Sequence, residues 1–120
     1  MHQRKDGAWE NPATIRVDAD LSIPGLIFDR AERDPHQIMV ERRVGGGWQQ
    51  VTARAFADDV QDLARGLYGL GLRPGDRMAI LASTSYEWAA FDIAALSLGA
   101  ITVPIYETDS AAQIRHILED

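Results

Sequence analysis

Two periods of apolar residues run along this chain, and each predicts a different kind of element. Leu26 and Ala31 belong to an apolar stripe spaced as on one face of an α-helix. Ser22 and Pro24 are typical of a helix start. Asp34–Pro35 predicts the end of that helix, because proline disfavours the helical conformation in the residue before it.

A period of two follows the first predicted helix. Ile38, Val40 and Val44 alternate with polar or longer side chains, which predicts a half-buried strand, and Trp48–Val51 can return as its partner. The glycines of Gly45–Gly47 adopt positive φ at little cost. A glycine triplet can also approach a phosphate, but this one joins two strands and opens no helix. We therefore interpret it as the turn of a β-hairpin.

The next segment has the helical period again. Thr52 is a good N-cap, and Gly69 and Gly71 favour a left-handed C-terminal cap. Its apolar residues recur three and four positions apart, at Phe56, Val60, Leu63, Leu67 and Leu70. The pattern predicts an amphipathic helix with one buried face.

The C-terminal third predicts a βαβ unit with strands at residues 77–82 and 101–105. Between them Thr84 and Glu87 fit a capping box ahead of a helix that is apolar on almost every side. A second capping box, at Ser110, predicts a last helix that has only just begun. The predicted fold class is therefore α/β, an N-terminal helix and β-hairpin followed by a βαβ unit.

Composition narrows the class of protein. Hydrophobic residues make up 46% and charged residues 25%, as in globular proteins, and there is no cysteine, which suits the cytoplasm. The net charge of −6 excludes nucleic acid as a partner, because an acidic chain repels phosphate backbones.

Residues 1–20 are polar, without periodicity or the apolar core of a signal peptide, and we expect a flexible arm. The longest apolar stretch is broken by Asp92, Gly99 and Pro104, so no transmembrane segment is predicted.

Signatures of catalysis are missing from the residues themselves. The run "GLGLRPG" leaves a helix to enter a strand, whereas a dinucleotide loop needs the reverse order. The three histidines are isolated, and the acidic group Asp58, Asp59 and Asp62 has no histidine partner, which favours a solvated helix face over a metal site. We predict no catalytic residue and no metal site in these 120 residues.

Four short motifs follow one another in the second half of the chain, Gly75-Asp76-Arg77, Glu87-Trp88, Gly99-Ala100 and Val103-Pro104. Their order and spacing resemble the N-terminal portion of AMP-forming acyl-CoA synthetases, members of the adenylate-forming superfamily. Within that family the run "VPIYETDSAAQIRHILED" is similar to the bacterial long-chain fatty-acid–CoA ligases. The resemblance covers about residues 20–120. It implies an incomplete N-terminal subdomain of an AMP-binding domain at residues 21–120, part of the larger N-terminal domain of such an enzyme.

The resemblance implies a reaction in which a fatty acid and ATP give an acyl-adenylate, which coenzyme A then converts to acyl-CoA, with Mg²⁺ as the usual metal. The family's Ser/Thr/Gly-rich phosphate loop ending in Pro-Lys is not in this sequence. No catalytic residue is therefore carried over, no cofactor is expected to bind these residues alone, and the 120-residue fragment is predicted to be inactive. By analogy, Tyr106 and Thr108 lie in the loop on the side from which coenzyme A approaches.

Two other readings stay open, a stand-alone interaction module of the same ancestry and a small nucleotide-binding α/β domain. The nucleotide-binding reading is weakened because the run "GLGLRPG" does not have the order of a dinucleotide loop. Strands 77–82 and 101–105 are predicted to have unpaired edges, so we expect self-association of the isolated chain. The arm at residues 1–20 could serve in dimerisation, and peripheral contact with a membrane also stays open.

Overall fold

A computed structural model describes residues 2–11 and 13–120 of the chain. These residues include four helices and six short strands. In chain order they are β1 (His2–Gln3), β2 (Trp9–Glu10), α1 (Ile23–Arg33), β3 (Ile38–Val44), β4 (Gly47–Thr52), α2 (Ala53–Gly69), β5 (Arg77–Leu81), α3 (Tyr86–Ser97), β6 (Ile101–Ile105) and α4 (Ala111–Glu119). β1 pairs with β2 and β3 with β4 in antiparallel fashion, whereas β5 and β6 are parallel. The predicted α/β class, with its hairpin and βαβ unit, is confirmed.

Local signals place the start of the fold as predicted. Ser22 caps α1 by accepting a hydrogen bond from the Gly25 backbone N–H at 3.1 Å. The hairpin turns at Gly45 and Gly46, whose φ angles are +56° and +86°. Two successive positive φ angles are the geometry that joins twisted antiparallel strands with a two-residue loop. The hairpin interpretation of the glycine triplet is therefore confirmed.

The alternation predicted for β3 is wrong at its start. A bulge lies between Ile38 and Val40, where the register with β4 shifts by one residue. As a result the consecutive residues Met39 and Val40 both pack against the core, whereas Ile38 is exposed. Val44, at the other end of the strand beside the turn, is exposed as well. A bulge of one residue reverses the faces on either side of it, so a strict period of two could not hold through it.

Helix α2 begins and ends at the expected signals. The Thr52 hydroxyl accepts from the Ala55 N–H at 3.2 Å. At the other end Gly71 has φ +106°, and the Leu72 N–H donates to the Leu67 carbonyl at 3.0 Å, which is the left-handed cap that the sequence predicts. Gly71 supplies this cap, while Gly69 remains the last helical residue.

The N-cap of α3 differs from the prediction by one residue. The backbone of Ser85, not Thr84, is extended ahead of the helix, and its hydroxyl accepts from the Trp88 N–H at 3.1 Å. The capping box of Thr84 with Glu87 is therefore wrong. The second capping box is confirmed, because Ser110 and Gln113 exchange side-chain to backbone hydrogen bonds at the start of α4.

The core lies where α2 and α3 meet and the hairpin packs over them. Its larger cluster consists of Val51, Phe56, Val60, Ala64, Ala90 and Ala94, and a smaller one consists of Ala31, Ala53 and Ala57. Helix α3 also contacts α1, β5 and β6. The segment before α1 carries the small β1–β2 hairpin, and the division into an arm at residues 1–20 and a subdomain at 21–120 stays a prediction.

Replacing Phe56 by alanine is expected to lower the free energy of unfolding by about 3–5 kcal/mol, because a core aromatic leaves a cavity. Phe56 is 4% exposed within the larger cluster. Trp48→Ala is the control, since Trp48 is 70% exposed, and it should cost about 1 kcal/mol or less. Urea unfolding measures both. If the two substitutions lowered the free energy of unfolding equally, Phe56 would not be part of the core.

Candidate functional site

The carboxyl ends of β5 and β6 lie side by side, because the two parallel strands are in register from Arg77 with Ile101 to Leu81 with Ile105. The loops that follow them are joined by a hydrogen bond of 2.7 Å from the Ser83 hydroxyl to Glu107 Oε2. Open parallel sheets bind ligands outside the carboxyl ends of their strands. This edge is thus the first candidate region.

Tyr106 and Thr108 lie in the loop after β6, and both are exposed on the surface, Tyr106 by 78%. The Tyr106 backbone N–H donates to Asp109 Oδ2 at 3.3 Å, and the Asp109 N–H returns a bond to the Tyr106 carbonyl at 3.1 Å. The loop is a closed turn that leads into the capped start of α4. A ligand role for either side chain stays a prediction.

A second region, missed by sequence reasoning, is a polar junction around Tyr86, where β3, α2 and α3 meet. The Tyr86 hydroxyl donates to Asp59 Oδ2 at 2.5 Å, and its ring packs edge-to-face on Phe56 with centroids 5.6 Å apart. The Arg42 guanidinium lies 4.7 Å from the centre of the same ring, with Nη1 4.0 Å from Glu87 Oε1. These five residues tie the hairpin to both helices.

Burial of the phenol raises the pKa of Tyr86 above its ordinary value, and the hydrogen bond to Asp59 raises it further. The neutral phenol is therefore the form that the fold stabilises. The sequence holds no signal for this arrangement, since residues 42, 59 and 86 come together only when the helices pack.

An apolar groove of about 750 Å³ starts at this junction and runs between α2 and α3. Leu63, Leu67 and Leu70 of α2 and Phe91 of α3 line it. Its polar rim consists of Arg42, Asp59, Asp62 and Glu87. We call this feature the α2–α3 groove.

Two acidic residues of α2, Asp59 and Asp62, pair with other side chains. Asp62 pairs with Arg65 at 2.6 Å, and Asp59 accepts the Tyr86 hydrogen bond, so these carboxylates have other partners. Within residues 2–11 and 13–120 no group of three His, Cys, Asp or Glu side chains is arranged to hold a metal ion. In the same part of the chain no helix is long and apolar enough to cross a bilayer.

Comparison with known proteins assigns the fold and its ancestry. The family described as AMP-binding enzyme matches residues 27–120. The chain belongs to this family. Among its relatives, the long-chain-fatty-acid–CoA ligase FadD15 of Mycobacterium bovis is 40% identical over 109 residues, which are 91% of this chain and 18% of the ligase. The resemblance to the N-terminal portion of a long-chain fatty-acid–CoA ligase is thereby confirmed.

A solved structure and a shorter protein are also similar to this chain. The crystal structure of IdnL1 superposes with a TM-score of 0.74 at 27% identity, over 81% of this chain and 20% of that one. The Mycobacterium tuberculosis protein Rv1549 is 32% identical over 90 residues, 75% of this chain and 50% of its own length. The chain thus spans a small part of FadD15 and about half of Rv1549.

Tyr86→Phe is expected to lower the free energy of unfolding by about 1–2 kcal/mol at neutral pH, because Asp59 loses its hydrogen-bond donor. The raised pKa adds a pH dependence. Above about pH 10 the unfolded phenol ionises while the folded one stays protonated, so the wild-type chain loses stability as pH rises.

Urea unfolding at neutral and at alkaline pH measures this difference. The variant should lose less stability above about pH 10 than the wild type does. Tyr106→Phe, at an exposed position, is the control and should follow the wild type. Parallel pH curves for wild type and Tyr86→Phe would contradict the prediction.

Proposed function

We propose that this chain is the N-terminal part of a long-chain fatty-acid–CoA ligase, which forms acyl-CoA from a fatty acid, ATP and coenzyme A through an acyl-adenylate. The observation that carries the proposal is the 40% identity with FadD15 across 91% of the chain. The proposed place of action is the cytoplasm, which the lack of cysteine favours.

We further propose that residues 1–120 alone catalyse no adenylation. Adenyl transfer depends on positioned groups that bind the phosphates and stabilise developing charge. The Ser/Thr/Gly-rich loop ending in Pro-Lys is absent from residues 1–120. In this proposal ATP, Mg²⁺ and the fatty acid bind to parts of the ligase outside these residues.

The proposed contribution of this chain to binding is the loop with Tyr106 and Thr108, on the coenzyme A side. Its charged neighbours are the carboxylates of Glu107, held by Ser83, and Asp109. Carboxylates repel the phosphates of coenzyme A, so the loop is proposed to contact the uncharged part of that molecule, with the exposed Tyr106 hydroxyl as hydrogen-bond donor.

A non-catalytic interaction module is the second candidate. The observation that favours it is Rv1549, a relative of which this segment makes up half, so the segment also occurs in a protein much shorter than FadD15. The free strand edges of the β5–β6 sheet support self-association of such a module.

A graft tests the ligase proposal. This chain replaces the matching segment of FadD15 from Mycobacterium tuberculosis, with which it is 39% identical over 109 residues. We expect the graft to form acyl-CoA from long-chain fatty acids, while the chain alone gives no ATP–pyrophosphate exchange. The same graft carrying Phe56→Ala is the control. Because Phe56 lies in the core, this variant shows whether acyl-CoA formation requires the grafted segment to be folded. A well-folded graft without acyl-CoA formation would favour the module, and exchange by the chain alone would refute the proposed inactivity.

In the active graft, Tyr106→Ala is expected to raise the KM for coenzyme A about tenfold, the size of one lost hydrogen bond and contact. ATP–pyrophosphate exchange precedes coenzyme A and should not change. Val44→Ala, at the exposed tip of the hairpin, is the matched control. An unchanged KM for coenzyme A in Tyr106→Ala would remove the loop from the binding site.

A further inference from the structure

Helix α4 has an apolar face that the rest of the chain does not cover. Ile114, Ile117 and Leu118 share this face, since they are three and four positions apart. None of them is buried, and Leu118 is 62% exposed. Within residues 2–11 and 13–120, α4 has no extended contact with another helix or strand. A short amphipathic helix is stabilised mainly by packing of its apolar face, so α4 lacks its main stabilising contact.

The α2–α3 groove is an apolar surface of the size that α4 needs. Leu70 and Phe91 line it, yet they are 88% and 39% exposed. The leucines of its wall extend from Leu63 to Leu70, which is about 10 Å along a helix. The nine residues of α4 span about 14 Å. One copy of α4 therefore covers the length of the groove.

Charge is complementary between α4 and the rim of the groove. The rim has three carboxylates and one guanidinium, so its net charge is negative. Arg115 lies three positions before Leu118, which places it beside the apolar face of α4. It is exposed and has no ion-pair partner among residues 2–11 and 13–120. A fatty acid, by contrast, would bring a further carboxylate to this rim, which argues against it as the occupant.

Both surfaces start at the same end of the molecule. Helix α3 begins at Tyr86 shortly after β5 ends at Leu81, and α4 begins at Ala111 shortly after β6 ends at Ile105. Since the carboxyl ends of the two parallel strands lie side by side, the first turns of α3 and α4 lie at that end as well. Helix α4, which the structure describes in full, does not line the groove of its own chain. Two copies that face each other with these ends can each place α4 in the groove of the other.

We propose that the α2–α3 groove binds helix α4 of a second copy of this chain, so that two copies form a symmetric dimer. In the dimer Leu118 packs against Leu70 and Phe91, and the apolar faces of both α4 helices are covered. Arg115 faces the carboxylates of the rim. The two-fold symmetry makes the contact twice. The inference goes beyond the ligase reaction, because it depends on residues of this chain alone.

Sedimentation equilibrium of this chain tests the dimer. Leu118→Lys and Leu70→Lys are each expected to weaken it about tenfold or more, because a charge replaces an apolar side chain that the dimer buries. Both residues are largely exposed in the single chain, so urea unfolding should show that each variant keeps its fold. Val44→Lys, at an exposed hairpin position, is the matched control and should dimerise as the wild type does. A monomeric wild-type chain, or a dimer that survives either groove or helix substitution, overturns the proposal.

A mixture of the two variants distinguishes this contact from any other dimer interface. In a sample of either variant alone both contacts are impaired. In a mixed dimer, α4 of the Leu70→Lys copy binds the unchanged groove of the Leu118→Lys copy, so one contact is intact. The mixed dimer is therefore expected to be about tenfold tighter than the dimer of either variant alone. Equal affinities of the mixed and unmixed dimers would show that residues 70 and 118 do not meet across the interface, and would overturn the proposal.

Discussion

Close contact between α2 and α3 sets the position of most later elements, because β5 leads into α3 and β6 leads out of it. Ala90 and Ala94 make this contact with Phe56 and Val60 of α2. Small side chains let two helix backbones approach closely, and larger ones would push α3 outward. The parallel sheet would move with it, and so would the loops at its carboxyl end. The candidate loop is therefore positioned by alanines that never approach it.

The hairpin depends on the same contact. A two-stranded hairpin is marginally stable by itself in water. Here Met39, Val40 and Val51 pack on the core, and Arg42 reaches across to the ring of Tyr86. The bulge in β3 makes this arrangement possible, since it directs two consecutive residues of the strand inward. The polar junction then fixes the angle between hairpin and helices at a point where apolar packing alone has little direction.

Features that depend on neighbouring residues could be predicted from the sequence, and features that depend on packing could not. The caps at Ser22, Thr52 and Ser110 and the glycine turn are local hydrogen-bond and φ preferences, so their residues are sufficient to identify them. The choice of Ser85 over Thr84 is different, because both residues are good N-caps. The position at which β5 ends decides whether Thr84 or Ser85 has the extended backbone of an N-cap.

The candidate site divides along the same line. The loop with Tyr106 could be placed after the second parallel strand, because the βαβ pattern is readable in residues 77–105. Its bond from Ser83 to Glu107 spans 24 residues, and the contact of Tyr86 with Asp59 spans 27. Both require elements to meet in space, and neither residue pair carries a motif. The groove is likewise a product of how α2 and α3 pack against each other.

The segment after β5 is joined to the candidate loop by a hydrogen bond. Parallel sheets are ordinarily covered on both faces, yet Leu81 and Ile101 of this sheet are both 51% exposed. Within the part of the chain that the structure describes, β5 is hydrogen-bonded to β6 alone, up to its carboxyl end at Leu81. Ser83 follows that end directly and carries the bond to Glu107. The turn that carries Tyr106 is therefore held to the sheet in two ways, by its covalent connection to β6 and by the hydrogen bond from Ser83 to Glu107, so its position depends on the register of the two strands.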